Sequence, residues 1–206
     1  MDPKNPKTGG QEKYCHEMAK RLVRDGNQVT WVCSAFPGSL REEYLDGIRI
    51  IRTGNIYTVF IRSFFLCMKY RKSDIVFLSM NSIPFFAPFH RKRVVMLHHR
   101  IELGVLRKKF RFIGVLAYFL QDYVTPFLYK YDTVFTVSNS SREDFLKLGY
   151  KHIGVVRTGV EIPPLQNFSK ENFIVAPGPV KPWKHHDLVL KAFASLEKDW
   201  KLIVAL

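Results

Sequence analysis

Short apolar runs alternate with segments of helical periodicity along most of the chain. The runs are rich in β-branched and aromatic residues, which is typical of buried strands. They predict strands over residues 28–34, 48–52, 74–79, 93–97, 133–137 and 153–156. Apolar residues at helical spacing predict helices over residues 10–25, 59–70 and 112–131. This alternation is typical of an α/β fold with a parallel sheet covered on both faces, in which ligands bind at the carboxyl ends of the strands.

The ends of the predicted helices carry their own signals. Gly26 follows the first helix, as a C-terminal cap would. The long helix contains Pro126, so we expect a break or kink near that residue. A further helix is expected to open with a capping box, in which Ser140 accepts from the first turn and Glu143 reaches back, and to end at Gly149.

The α/β pattern stops and restarts across a proline-containing segment. It predicts a first domain over residues 1–162, a linker over 163–170 and the start of a second domain over 171–206. The second domain would hold one β-α-β unit, with strands at 172–176 and 201–205 and a helix at 186–197. One such unit is too small to bury a core, and no strand precedes the first glycine loop. We therefore expect a fragment at both ends, with the first strand of the first domain missing.

The chain is strongly basic, with 32 Lys and Arg against 18 Asp and Glu and a net charge of +14. Such a surplus attracts phosphates, nucleic acid or anionic lipid without choosing among them. The three cysteines are widely spaced and lack a C-x-x-C pair, which fits a reducing cytoplasm and predicts neither zinc nor redox chemistry. No apolar stretch has the ~20 residues of a spanning helix, and the first ten residues contain no secretory signal. These features predict a cytoplasmic protein.

A basic cluster precedes the aromatic-rich segment that begins at Phe112. Two interpretations are open. The cluster is either a surface that contacts an acceptor or the inner face of an anionic membrane, or a set of solvent-exposed basic residues at the start of a buried helix. The sequence shows no RNA-binding or helix-turn-helix signature, so nucleic acid is not an expected partner. The cluster consists of Arg107, Lys108, Lys109 and Arg111.

Three further groups of residues have chemistry suited to a ligand. Gly9 and Gly10 lie where the first helix begins, and bare amides at a helix start suit a phosphate. His98 and His99 end a predicted strand, where a histidine can hydrogen-bond sugar hydroxyls. Lys184 lies in the loop before the last predicted helix, placed to meet a diphosphate. The histidines lack further ligands, so no metal site is predicted.

The order and spacing of these segments resemble the retaining family-four glycosyltransferases of the GT-B fold, which have two Rossmann-like domains facing each other across a cleft. The similarity begins at Gly9-Gly10-Gln11-Glu12 and Val29-Thr30-Trp31-Val32. It continues through the strand that ends in His98-His99, and is closest from Tyr131-Asp132-Thr133-Val134 to Arg157-Thr158-Gly159-Val160-Glu161. It ends with Val175 to Gly178, Lys184 and Asp187-Leu188.

The resemblance assigns roles to the candidate residues. The loop with Gly9 and Gly10 would lie against the donor, and one of the two histidines, with a slight preference for His98, would contact the transferred sugar. Lys184 matches a donor-binding lysine of the family. Pro179 stands where the family usually has an arginine, and Lys181 is the candidate substitute.

The implied function is transfer of a sugar from a nucleotide-sugar donor to an acceptor hydroxyl with retention, in glycan or glycolipid synthesis, without a cofactor or an obligatory metal. The family's paired glutamates would lie beyond Leu206, so we expect this fragment to be inactive alone. Two alternatives remain: a non-catalytic basic module that binds anionic membrane or nucleic acid, and a sugar-nucleotide epimerase of the same fold.

Overall fold

The computed structural model of the 206-residue chain describes residues 2–6, 8–80, 84–85, 87, 92–97, 114–159, 164, 171–178, 184–196 and 199–205. The chain divides into two compact units, Met1–Val160 and Glu161–Leu206. Within the described residues, no helix is both long enough and apolar enough to cross a membrane.

The first unit begins with helix α1 (Gly10–Arg24) and a three-stranded sheet formed by β1 (Thr30–Cys33), β2 (Glu42–Leu45) and β3 (Ile48–Arg52). The strand order is β1-β3-β2, with β1 parallel and β2 antiparallel to β3. α1 packs on this sheet because its apolar face carries Ala19, which joins the buried side chains of Cys33, Ile48 and Ile50.

β2 corrects the expectation of a purely parallel sheet. It pairs with β3 through a two-residue turn in which Asp46 and Gly47 have φ values of 50° and 78°. Positive φ at both central residues is the geometry that matches the twist of a hairpin, and Asp-Gly is among its preferred sequences. β2 is polar and half exposed, so it lacks the apolar run by which the other strands were predicted.

The second sheet of the first unit is entirely parallel, in the order β4-β5-β6-β7. Helix α2 (Val59–Lys69) leads into this sheet. Its strands are β4 (Val76–Met80), β5 (Arg93–Leu97), β6 (Thr133–Thr136) and β7 (His152–Val155). Its core contains Leu78, Val95 and Val134 from the strands, and Tyr129 and Phe145 from the helices.

The long helix near Pro126 is irregular one turn earlier than expected. Residues 114–119 are α-helical, a π-helical turn covers Leu120–Val124, and helix α3 covers Thr125–Tyr129. The irregularity expected near Pro126 is therefore this π-helical turn, which ends two residues before the proline, and Pro126 itself lies in the first turn of α3, where a missing N–H costs little. The wider turn before it relieves the clash that a proline ring would make with the preceding helical carbonyl.

The N-cap of helix α4 (Asn139–Lys147) lies two residues earlier than the predicted cap. This residue is Ser138, whose hydroxyl accepts from the backbone N–H of Ser141 at 3.1 Å. The expected capping box of Ser140 and Glu143 is therefore wrong, because Ser140 already has helical backbone geometry. The predicted end at Gly149 is confirmed: Gly149 has a φ of 91°, and its N–H donates to the carbonyl of Leu146 at 3.0 Å.

The second unit contains one β-α-β arrangement. β8 (Phe173–Pro177) and β9 (Lys201–Ala205) pair in parallel, and helix α5 (His186–Ala194) connects them. None of the described residues of α5 is buried, so this unit exposes apolar side chains such as Leu188 and Leu190.

Candidate functional site

A buried arginine lies at the carboxyl end of β3. Arg52 is the last residue of the strand, and its guanidinium forms ion pairs with Asp2 and Glu43. Its Nη1 also donates to the carbonyl oxygen of Leu40 at 2.9 Å, and the ring of Phe36 lies 5.5 Å from the guanidinium carbon. Arg52 therefore joins the segment before α1, the strand β2 and the loop after β1.

Asp2 anchors the segment that leads into α1. Its carboxylate accepts from the side chain of Arg52 and from the backbone N–H of Lys4, the latter at 2.8 Å. Its carbonyl oxygen accepts from the N–H of Asn5 at 3.1 Å and from the hydroxyl of Thr8. Since Thr8 directly precedes the glycine pair, these contacts tie the start of α1 to the carboxyl end of β3.

The charges of this cluster persist at neutral pH. Burial would raise the pKa of Asp2, but hydrogen bonds from Arg52, Lys4 and Cys33 outweigh it and lower that pKa. Burial would lower the pKa of Arg52, and hydrogen bonds to Asp2 and Glu43 raise it instead. The pKa of Cys33 is raised to about 12, mainly by burial and to a smaller extent by the nearby Asp2 carboxylate. Cys33 therefore stays a thiol, which donates to Asp2 Oδ2 at 3.3 Å and is a poor nucleophile.

The glycine pair lies at the start of α1, as the sequence predicted. Gly9 is the N-cap, and its N–H donates to the carboxylate of Glu12 at 2.9 Å. Gly10 is the first helical residue, and no described atom lies within 4 Å of where its Cβ would be. A phosphate at this helix start would therefore compete with Glu12 for the Gly9 amide, whereas the space beside Gly10 is open.

α1 also contacts the parallel sheet. The side-chain amide of Gln11 donates to the hydroxyl of Ser79 at 2.9 Å, and the sulfur of Cys15 lies 3.3 Å from the same oxygen. Ser79 is the fourth of five residues of β4, so α1 is held near the carboxyl end of that strand. The glycine pair is thereby positioned by both sheets of the first unit.

Lys184 belongs to the second unit and lies beside its glycine loop. Gly178 directly follows β8 and has a φ of 123°, a value that favours glycine. A Cβ on this residue would be 3.9 Å from Cε of Lys184. Lys184 is exposed and directly precedes His185, which caps α5, so its ammonium has the freedom to meet an anion.

A pocket of about 390 Å³ opens beside Arg52. We call it the arginine pocket because three arginines line it: Arg41, Arg52 and Arg62. The rest of its described lining comes from the loops that follow β1 and β3, namely Ala35, Ser39, Thr53 and Gly54. Sequence reasoning did not single out these residues, although Arg52 and Thr53 lie at the carboxyl end of a predicted strand, the place where this fold class binds ligands.

The remaining predicted site residues are outside the described part of the chain. They are His98, His99, Arg107, Lys108, Lys109, Arg111 and Lys181. Of the other predicted residues, Gly9 and Gly10 lie together in the first unit, whereas Lys184 lies in the second.

The comparison with known families assigns the class of protein. The Glycosyltransferase Family 4 profile matches residues 8–162, which include the glycine pair, Arg52 and the whole parallel sheet. The chain belongs to this family, and its four-stranded parallel sheet with flanking helices is the Rossmann-like arrangement of a GT-B domain. Membership indicates a glycosyltransferase-type function. A search of curated proteins found no significant match.

Proposed function

We propose that this protein transfers a sugar from a nucleotide-sugar donor to an acceptor hydroxyl, with retention of anomeric configuration, in glycan or glycolipid synthesis. The observation that carries the proposal is the family match over residues 8–162. The match covers the four-stranded parallel sheet, the glycine pair of α1 held near the carboxyl end of β4, and the basic pocket at the carboxyl ends of β1 and β3 of the other sheet. No cofactor is part of the proposal, because the nucleotide diphosphate is itself the leaving group.

The chemistry proposed for the site is electrostatic. Breaking the bond between the sugar and the diphosphate leaves negative charge on the leaving oxygen, and preorganised positive groups lower the energy of that state. Lys184 and the amide of Gly10 are the described groups suited to this role, and Lys181 is a further candidate. One of His98 and His99 is proposed to contact the transferred sugar.

A transfer assay tests the proposed reaction. Protein that contains both complete Rossmann-like domains is incubated with a panel of uridine, guanosine and adenosine diphosphate sugars, with and without acceptor sugars. We expect the nucleoside diphosphate to be released only with an acceptor, and NMR of the product to show the donor's anomeric configuration. Interconversion of donor sugars without an acceptor would favour the epimerase, and an inverted product would contradict retention.

Substitution of Lys184 tests the donor side. A lysine hydrogen-bonded to a phosphate contributes about 1.5–3 kcal/mol, so Lys184→Ala is expected to weaken nucleotide-sugar binding about tenfold or more in calorimetry. Lys191→Ala is the matched control, because Lys191 is an exposed lysine of the same unit, in the last turn of α5. Equal losses in the two variants would show a general charge effect and remove Lys184 from the proposed site.

A second proposal is that the protein lies against an anionic membrane. Helix α2 exposes Ile61 and Phe65, one turn apart, at 66% and 60% of their surface. The helical residues 114–129 expose Phe119, Tyr123 and Phe127 at the same four-residue spacing. Apolar side chains in such rows on a protein of net charge +14 suit the interface of a negatively charged bilayer.

A further inference from the structure

The arginine pocket has more positive charge than the protein itself neutralises. Arg52 is paired with Asp2 and Glu43, and Glu43 is also paired with Lys4, so these four charges balance. Among the described residues, neither Arg41 nor Arg62 forms an ion pair, and the described lining of the pocket contains no carboxylate. Arg41 and Arg62 therefore line the pocket without a close ion pair to any described carboxylate, although Arg41 is near enough to Glu42 to lower the pKa of that carboxyl.

The backbone around the pocket is fixed by close contacts. The hydroxyl of Ser39 accepts from the N–H of Phe36 at 3.1 Å and donates to its carbonyl at 2.6 Å, which closes the loop after β1. The N–H of Thr53 donates to the carbonyl of Cys33 at 2.9 Å, which extends the pairing of β1 and β3 up to the pocket. These bonds hold the floor of the pocket in one geometry.

Gly54 brings α2 close to that floor. It has a φ of 63°, and a Cβ there would clash with the hydroxyl of Thr58 and lie 3.1 Å from Cδ of Arg62. The missing side chain is what allows the stem of Arg62 to lie against the loop. Arg62 and Arg41 are exposed, so their guanidinium groups can close on a ligand over a rigid base.

The chemistry of the pocket selects an anion, and its charge favours phosphate. Guanidinium groups bind phosphate and carboxylate oxygens through paired hydrogen bonds. A surplus of two positive charges matches a phosphate monoester, which carries about −1.5 to −2 near neutral pH. The pocket volume of about 390 Å³ is within the range of small-molecule sites, roughly 300–1,000 Å³.

We infer that the arginine pocket binds a phosphate group of the acceptor, so that the acceptor is a phosphorylated molecule. The inference rests on the proposed glycosyl transfer and deepens it by naming the chemical class of one substrate. The phosphate can belong to a soluble sugar phosphate or to a lipid whose headgroup is a phosphate monoester. Both present the same dianionic group to Arg41 and Arg62.

Binding measurements on the whole chain test the pocket separately from catalysis. Calorimetry is performed with inorganic phosphate and with a hexose 6-phosphate, and flotation with neutral vesicles that do or do not contain phosphatidic acid. The double variant Arg41→Gln, Arg62→Gln is expected to bind the phosphate ligands at least about tenfold more weakly. Tight binding of the hexose phosphate identifies a soluble source, and selective flotation with phosphatidic acid identifies a lipid source.

A matched double variant controls for overall charge. Arg24→Gln, Arg71→Gln removes the same two charges from exposed positions of the first unit and is expected to change phosphate binding less than twofold. Equal losses in the two double variants, or no phosphate binding by the unaltered chain, would overturn the inference. Displacement of phosphate from the pocket by a nucleoside diphosphate would assign the pocket to the donor and overturn its assignment to the acceptor.

The two proposals fail in different ways. If the pocket binds phosphate as described but no sugar is transferred from any donor, the anion site stands and the proposed function fails. If sugar is transferred equally well to uncharged and phosphorylated acceptors, and the Arg41→Gln, Arg62→Gln variant keeps that rate, the transfer stands and the acceptor assignment fails.

Discussion

At the level of single residues, the contacts of Arg52 dominate the first unit. Its side chain is fully buried, and both of its charged partners come from other parts of the chain. Removing one partner of a buried pair leaves a charge without compensation, which is far more costly than losing an exposed pair. The stability of the first unit should therefore depend on Asp2 more than on any surface carboxylate.

Asp2→Asn is expected to lower the free energy of unfolding by about 3 kcal/mol at neutral pH, measured by urea denaturation. The folded-state pKa of Asp2 lies below its ordinary value of 3.8, so its contribution is present above that pH. The contribution is lost as the pH falls below 3.8 towards the lowered pKa. The unaltered protein should consequently lose stability in this acid range more steeply than the variant does.

The ion pair of Glu17 and Lys20 lies at the surface, with side chains 35% and 26% exposed, and supplies the control for this measurement. Glu17→Gln should leave the free energy of unfolding at neutral pH close to that of the unaltered protein, because solvent screens exposed pairs. A similar loss in Asp2→Asn and Glu17→Gln would show that the buried pair does not stabilise the unit.

Gly10→Ala separates a binding role of the glycine pair from a structural one. No described atom would contact the added methyl group, and alanine is a better helix former than glycine. The melting temperature is therefore expected to stay the same or rise, whereas nucleotide-sugar binding should weaken if a phosphate approaches the Gly10 amide. Unchanged donor binding in calorimetry would exclude that approach.

At the level of elements, the strands with apolar runs were predicted best. The predicted bounds 48–52, 93–97 and 201–205 coincide with β3, β5 and β9. Their β-branched apolar residues identify them as strands whether the strand is buried, as β3 is in part, or largely exposed, as β9 is. β2 was missed because it is an edge strand with Glu42, Glu43 and a largely exposed Tyr44. Its only clear signal was Asp46-Gly47, a short turn whose importance depends on the strand beside it.

Only part of the candidate site could be predicted from the sequence. The position of Gly9 and Gly10 at a helix start followed from periodicity, which is a local property. The arginine pocket joins three successive segments with different structures: the loop before β2, the end of β3 and helix α2, represented by Arg41, Arg52 and Arg62. No local pattern links such residues, and the pairing of β1 with β3 is what brings their segments together.

The cap of α4 gives a test at this level. Ser138→Ala removes the hydroxyl that accepts from Ser141 and is expected to cost about 1 kcal/mol of stability. Ser140→Ala is the matched control, since Ser140 is exposed within the helix and alanine there favours the helical state. Thermal denaturation should show a lower midpoint only for Ser138→Ala, and the opposite order would restore Ser140 as the cap.

At the level of the whole molecule, the proposed membrane contact combines the exposed apolar rows with the positive charge. The double variant Ile61→Ser, Phe65→Ser is expected to reduce binding to phosphatidylserine vesicles about tenfold or more, because each apolar side chain contributes about 1.5–3 kcal/mol when buried. Binding should also weaken as salt is added, since screening reduces attraction to anionic lipid. Co-sedimentation measures both effects.

Tyr44→Ser is the control for the vesicle experiment, because Tyr44 is an exposed aromatic residue on β2, outside both apolar rows. It should bind vesicles as the unaltered protein does. Binding that persists in the double variant, or that does not depend on the anionic lipid, would argue against the membrane contact.

Because Arg52 connects both regions, ligand binding at the pocket and at the glycine pair should be coupled. Arg52 is a lining residue of the pocket, and its buried guanidinium holds Asp2, the anchor of the segment before α1. Any shift of Arg52 caused by an anion bound at Arg41 and Arg62 would therefore be passed on to Asp2. Thermodynamic linkage makes this effect reciprocal. If a ligand in the pocket changes the binding free energy of a ligand at the glycine pair, the second ligand changes the binding free energy of the first by the same amount.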